Sequence, residues 1–186
     1  MKQFILLFIA FFVFDTYAQM TLNDVTLPAK IKGHDKELVL NGGAIRKKAM
    51  FKVYVLGLYT PQKTKDAKAI LNSKDNLVAR LVITSSVVSS KNMTEAIIEG
   101  FEKSTNNNMA SLQSKIDAFI AAFKDEIQTG DVFDLSYSSE DGTKALKNGK
   151  LVTTVTGDDF KKALFGIWLG DNPIDSKIKN NILGIQ

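Results

Sequence analysis

Cysteine is absent from this 186-residue chain. That removes disulfides, a thiolate nucleophile, cysteine-ligated metals and a lipid anchor attached through a leader cysteine. Histidine is nearly absent as well. The single one, His34, sits in a polar Gly-His-Asp turn, where it reads as a loop residue. With no cysteine and no second histidine, neither a nucleophilic triad nor a zinc set finds support, so no catalytic residue and no metal ligand is assigned. The glycine pair Gly42-Gly43 lacks the following glycine and lysine that a phosphate cradle needs, and no cofactor is expected. Arginine is scarce too: of 24 basic residues only Arg46 and Arg80 are arginines. Where the planar guanidinium is used so sparingly, its bidentate geometry becomes a reason to look at each site.

What is present points to an exported single domain. Residues 1 to 18, MKQFILLFIAFFVFDTYA, have a lysine, an apolar run of 11 residues from Phe4 to Phe14 and a small-residue ending. This is the pattern of a secretory signal peptide cleaved after Ala18. A helix needs about 20 apolar residues to span a bilayer, so an integral membrane anchor is not expected. The domain then covers 19–186, in the periplasm or secreted. At 45% hydrophobic residues it can bury a core without staples. Net charge is +4, with lysines dispersed among 20 acids rather than gathered in a stripe, so no nucleic-acid partner is expected.

The periodicity reads as strands, two helices, a hairpin and two more helices. Strands are expected at Val25 to Ile31, Glu37 to Leu40 and Met50 to Tyr59, the last alternating Lys52, Tyr54 and Leu56 on one face with Val53, Val55 and Gly57 on the other. Lys65 to Leu71 reads as a short helix, and Asn76 to Ser85 as a strand that sets Arg80 between two valines. Apolar residues at helical spacing then predict one helix from Met93 to Ser104, capped by Ser90 or Asn92, and a second from Ser111 to Gln128 closed by Gly130. Asn148-Gly149 signals a two-residue hairpin. Phe160 to Trp168 predicts a helix, and a last short helix follows the turn at Gly170 to Pro173. The fold class is α+β, an antiparallel sheet covered by a layer of helices.

Two segments carry a resemblance. LNGGAIRKKAMFKVYVLGLY (Leu40 to Tyr59) resembles the strand pair of the chalcone isomerase-like family, in which a Gly-rich turn carries an arginine and an aromatic-rich strand follows. FKKALFGIWLGDNPIDSKIKNNILG (Phe160 to Gly184) resembles that family's closing helix pair, and SSKNMTEAIIEGFEKS its first sheet-covering helix. The resemblance implies an open-faced β-sandwich with a ligand cleft between sheet and helices. Its four site positions fall on Arg46, Tyr54, Met93 and Gly100, where the enzymes carry arginine, threonine, tyrosine and asparagine. Only the arginine is kept. A methionine can neither polarise an enolate nor place a proton, so flavanone formation is not expected. The family also holds non-catalytic members that bind fatty acids, which implies that Arg46 pairs with the carboxylate of a small apolar ligand, with Tyr54, Lys52 or Arg80 as a second donor. Two alternatives stay open: an intramolecular lyase or isomerase acting on a non-chalcone substrate with Arg46 and Tyr54 as its pair, and a structural or interaction module of the cell envelope. Oligomeric state is left unassigned.

Overall fold

The computed structural model describes residues 19–185, so the signal-peptide assignment at 1–18 lies outside the described residues. Two short strands, β1 (Met20–Leu22) and β2 (Val25–Leu27), form a small antiparallel sheet. Seven more form the main antiparallel sheet in sequence order: β3 (Lys30–Gly33), β4 (Lys36–Lys48), β5 (Phe51–Thr60), β6 (Leu77–Ile83), β7 (Val132–Ser138), β8 (Gly142–Lys147) and β9 (Lys150–Val155). The helices are α1 (Ala67–Asn72), α2 (Ser90–Ser104), α3 (Gln113–Ile120), α4 (Asp158–Leu169) and α5 (Ser176–Ile182).

Alternation along the strands gives the sheet two apolar faces. Leu56, Leu58, Ala79, Leu81 and Leu135 join the helices in the principal core, while Leu38, Leu40, Val55, Tyr59 and Val78 pack on the other face beneath Leu27 of β2. α4 is buried on nearly every side, as expected of a helix apolar all round. Of its two lysines Lys162 is exposed, whereas Lys161 is 1% exposed, and its Nζ donates to the carbonyls of Ile70, Leu71 and Ser73 at 2.7, 3.0 and 2.9 Å. Those carbonyls lie at the end of α1, so the ammonium caps one helix from the body of another.

Several expectations are corrected. The strand expected over Val25 to Ile31 is two, parted near Pro28, whose missing N–H cannot continue a ladder. Gly42-Gly43 is no turn: β4 runs through it, and a Cβ at Gly42 would stand 2.4 Å from the Asn181 carbonyl oxygen, so the glycine admits the end of α5. The turn comes later, at Ala49-Met50. Helix α2 is capped by Ser89, reciprocated by Asn92 in a capping box, rather than by Ser90 or Asn92. The long helix expected over Ser111 to Gln128 is a 3₁₀ turn, the two-turn α3 and a second 3₁₀ turn at Ala121–Phe123, beyond which the Ser90 hydroxyl takes the carbonyl of Lys124 at 2.9 Å. Gly130, at φ 93°, shapes the turn into β7 instead.

Candidate functional site

Between the helix-covered face of the sheet and helices α2 and α4 lies a cavity of about 210 Å³. Leu81 and Leu135 make its floor, Met93 and Ile97 of α2 one wall, and Leu164 and Trp168 of α4 the other. Phe119 and Phe123 close the inner end, the first tilted against Phe160 and the second stacked on Phe133 of the core, at centroid distances of 5.5 and 4.8 Å. Arg46, Lys48, Phe51, Val87, Asn92 and Glu99 surround the mouth. The lining is thus apolar within and charged at the rim, an arrangement suited to a molecule with an apolar body and a polar head.

A bulge in the β4–β5 pair builds this rim. Arg46 pairs with Tyr54 and Lys47 with Lys52, leaving Val53 as the extra residue. The strand's alternation is shifted there: Phe51, Val53 and Tyr54 all reach the cavity, and Lys52 turns away to donate to the Asn23 side chain at 2.8 Å. The face sharing expected for Lys52 and Tyr54 is therefore corrected, and Lys52 is no second donor. Nor is Arg80. It lies on the opposite face of the sheet, where its Nε and Nη2 meet both carboxylate oxygens of its cross-strand partner Asp134 at 2.7 and 2.8 Å.

Arg46 is held lightly. Its Nη1 donates to the Lys47 carbonyl at 2.9 Å and lies 3.7 Å from Oδ2 of Asp175, whose other oxygen caps the N-terminus of α5. Both side chains keep part of their surface in solvent. Beside Arg46 across the strand pair, Tyr54 is 7% exposed, and its Oη accepts from Nε1 of Trp168 at 3.1 Å. Among the described residues nothing accepts the Tyr54 proton. Burial raises the Tyr54 pKa, with the Trp168 bond and the nearby Arg46 charge acting against that rise. The hydroxyl is therefore a neutral donor. Opposite it, Glu99 is kept ionised by its bond to Lys103, with Lys48 and Arg46 adding to the effect.

Of the residues read from the sequence, Arg46, Tyr54 and Met93 meet in this cavity. Gly100 does not: it is buried between α2 and α4, where a Cβ would stand 2.9 Å from Cγ2 of Ile167. Trp168 and Asp175 were missed as site residues, because nothing in a run of helix-core residues marks the one whose N–H reaches a hydroxyl. His34 does lie in a turn, but its side chain is only 5% exposed, with Nδ1 2.9 Å from Asp141 and Nε2 2.9 Å from the Ser136 carbonyl oxygen, remote from the cavity. Among the described residues no group of three or more acidic or histidine side chains is placed to hold a metal, and no helix is long and apolar enough to cross a membrane.

The family described as chalcone isomerase-like matches residues 19–184 of the chain. No curated protein matches it in sequence. Among solved structures, the crystal structure of a fatty-acid binding protein from Arabidopsis thaliana superposes with a TM-score of 0.70 at 16% identity, covering 89% of this chain and 96% of that one. At that identity the likeness establishes the shared fold.

Proposed function

The chain belongs to the chalcone isomerase-like family, and from that premise we propose that it is a non-catalytic binding protein for a small apolar carboxylic acid of fatty-acid type. The observation that carries this reading is the convergence of two donors at the mouth of an apolar cavity: the lightly held Arg46 guanidinium and the uncommitted Tyr54 hydroxyl. A carboxylate seated there would accept from both. Asp175 then keeps its role as the cap of α5. Met93 is wall, a flexible and polarizable side chain suited to an adaptable apolar ligand. The fatty-acid binding of the plant neighbour is in keeping with this, and the apolar run at residues 4–14 is in keeping with a site of action outside the cytoplasm.

Charge-assisted hydrogen bonds contribute roughly 1.5–3 kcal/mol, which is about ten- to a hundredfold in affinity. Arg46→Ala should accordingly weaken decanoate binding by that factor, measured by displacement of a fluorescent fatty acid. Equal affinity in wild type and variant would remove Arg46 from the site. Turnover of an enone acid that disappears in Tyr54→Phe would instead favour an isomerase built on the same pair.

A further inference from the structure

Among the described residues four hairpins close through two residues, and their tips differ in kind. Asn23-Asp24, His34-Asp35 and Asn148-Gly149 are polar and adopt the positive φ angles such turns require. The fourth, between β4 and β5, is Ala49-Met50, with Ala49 held at φ 51° where glycine or asparagine is the favoured residue. Its side chains face water: Met50 is 86% exposed and the following Phe51 46%. Val87, in the loop before α2, is 40% exposed. Phe51 and Val87 both line the cavity mouth, so these apolar tips form the outer lip of the cavity rather than a scattered set.

The lip is bordered by cations. Lys48 is exposed at the mouth beside the hairpin turn, and Arg46 lies just inside. The acids that face it are already engaged, Glu99 with Lys103 at 3.1 Å and Asp175 with Arg46. Apolar side chains at the tip of a hairpin, with the cations of Lys48 and Arg46 behind them, match the two layers of a lipid surface: an acyl interior reached by Met50 and Phe51, and anionic headgroups met by the basic side chains.

We propose that the Ala49-Met50 hairpin and the Val87 loop dock the protein on an anionic lipid surface, placing the cavity mouth against the membrane. A ligand could then pass from bilayer to cavity without exposing its chain to water, a consequence that rests on the carboxylic-acid reading of the cavity, whereas the docking itself does not. A soluble protein offering an acidic rim around an apolar cleft is the competing occupant.

The test is flotation of the purified protein with vesicles of phosphatidylcholine and phosphatidylglycerol in equal parts, compared with phosphatidylcholine alone. Wild type should float with the anionic vesicles and detach as salt is raised. Lys48→Ala should weaken partitioning by about fivefold, the share of one basic residue near a charged surface, and Met50→Asp by at least as much. Because Met50 is almost wholly in solvent, Met50→Asp should keep the wild-type melting temperature and its solution affinity for decanoate. A wild type that binds decanoate but ignores the vesicles, or a Met50→Asp variant that floats equally well, would overturn the docking surface and leave the cavity reading standing. Vesicle binding without decanoate uptake would overturn the cavity reading and leave the surface.

Discussion

At the residue scale the site turns on which protons are already spent. Trp168 gives its N–H to Tyr54, and Tyr54 gives its own to no described residue, so the pair presents one oriented donor to the cavity. In Tyr54→Phe that donor is lost and the Trp168 N–H is left unpaired in an apolar wall, at a cost of about 1–3 kcal/mol in stability. Decanoate affinity should fall about tenfold in the same variant. Trp168 is the chain's single tryptophan and lines the cavity, so its emission should shift as decanoate is added, and a titration curve flat in both intensity and wavelength would argue that nothing enters. Arg46 could be singled out beforehand because arginine is rare here and because of the motif around it. Asp175 and Trp168 could not, since pairing across the end of one helix and the wall of another is settled by three-dimensional packing.

At the scale of elements, Lys161 ties α1 to α4. Burial pushes its ammonium down to about 8, below the roughly 10.4 of an exposed lysine. Between those values the folded chain has released a proton that the unfolded chain still holds, so stability rises with pH through that window. The three carbonyls favour the charged form and temper the rise. Chemical denaturation at pH 8 and pH 10 should show the gain in wild type and lose it in Lys161→Met. That variant should also be less stable at pH 7 by about 2 kcal/mol, because the carbonyls lose their buried donor. An equal pH response in both would assign the effect elsewhere. Strands β5 and β6, the β8–β9 hairpin and helices α2 and α4 are legible in the sequence because period two and period 3.6 write themselves into apolar spacing, whereas only the first part of β4 is, since its glycine pair reads as a break. The Val53 bulge is not, since one added residue leaves composition untouched while moving Lys52 off the site. Nor is the shortness of α3: the apolar stripe continues to Ile127, but Ile127 is buried by an irregular chain rather than by a helix.

For the molecule as a whole, the cavity's size limits its cargo. Its volume of about 210 Å³ is small beside the roughly 300 Å³ at which drug-sized sites begin. A methylene occupies about as much space as a water molecule, roughly 30 Å³, so about seven methylenes fill the space behind a carboxylate anchored at Arg46. The inner end is closed by Phe119 and Phe123, which are stacked into the core and cannot swing aside without disturbing Phe133 and Phe160. Each methylene buried adds about 0.8 kcal/mol, close to fourfold in affinity. Dissociation constants measured across saturated acids should therefore fall steeply from butanoate to about nonanoate or decanoate and level off beyond, where further carbons find no volume behind the anchor. Replacing the end wall in Phe123→Ala should move that break to longer chains, with some loss of stability from the disturbed aromatic cluster. A monotonic rise in affinity through palmitate in the wild type would mean that the chain does not point inward from Arg46, and that the carboxylate sits elsewhere in the cavity.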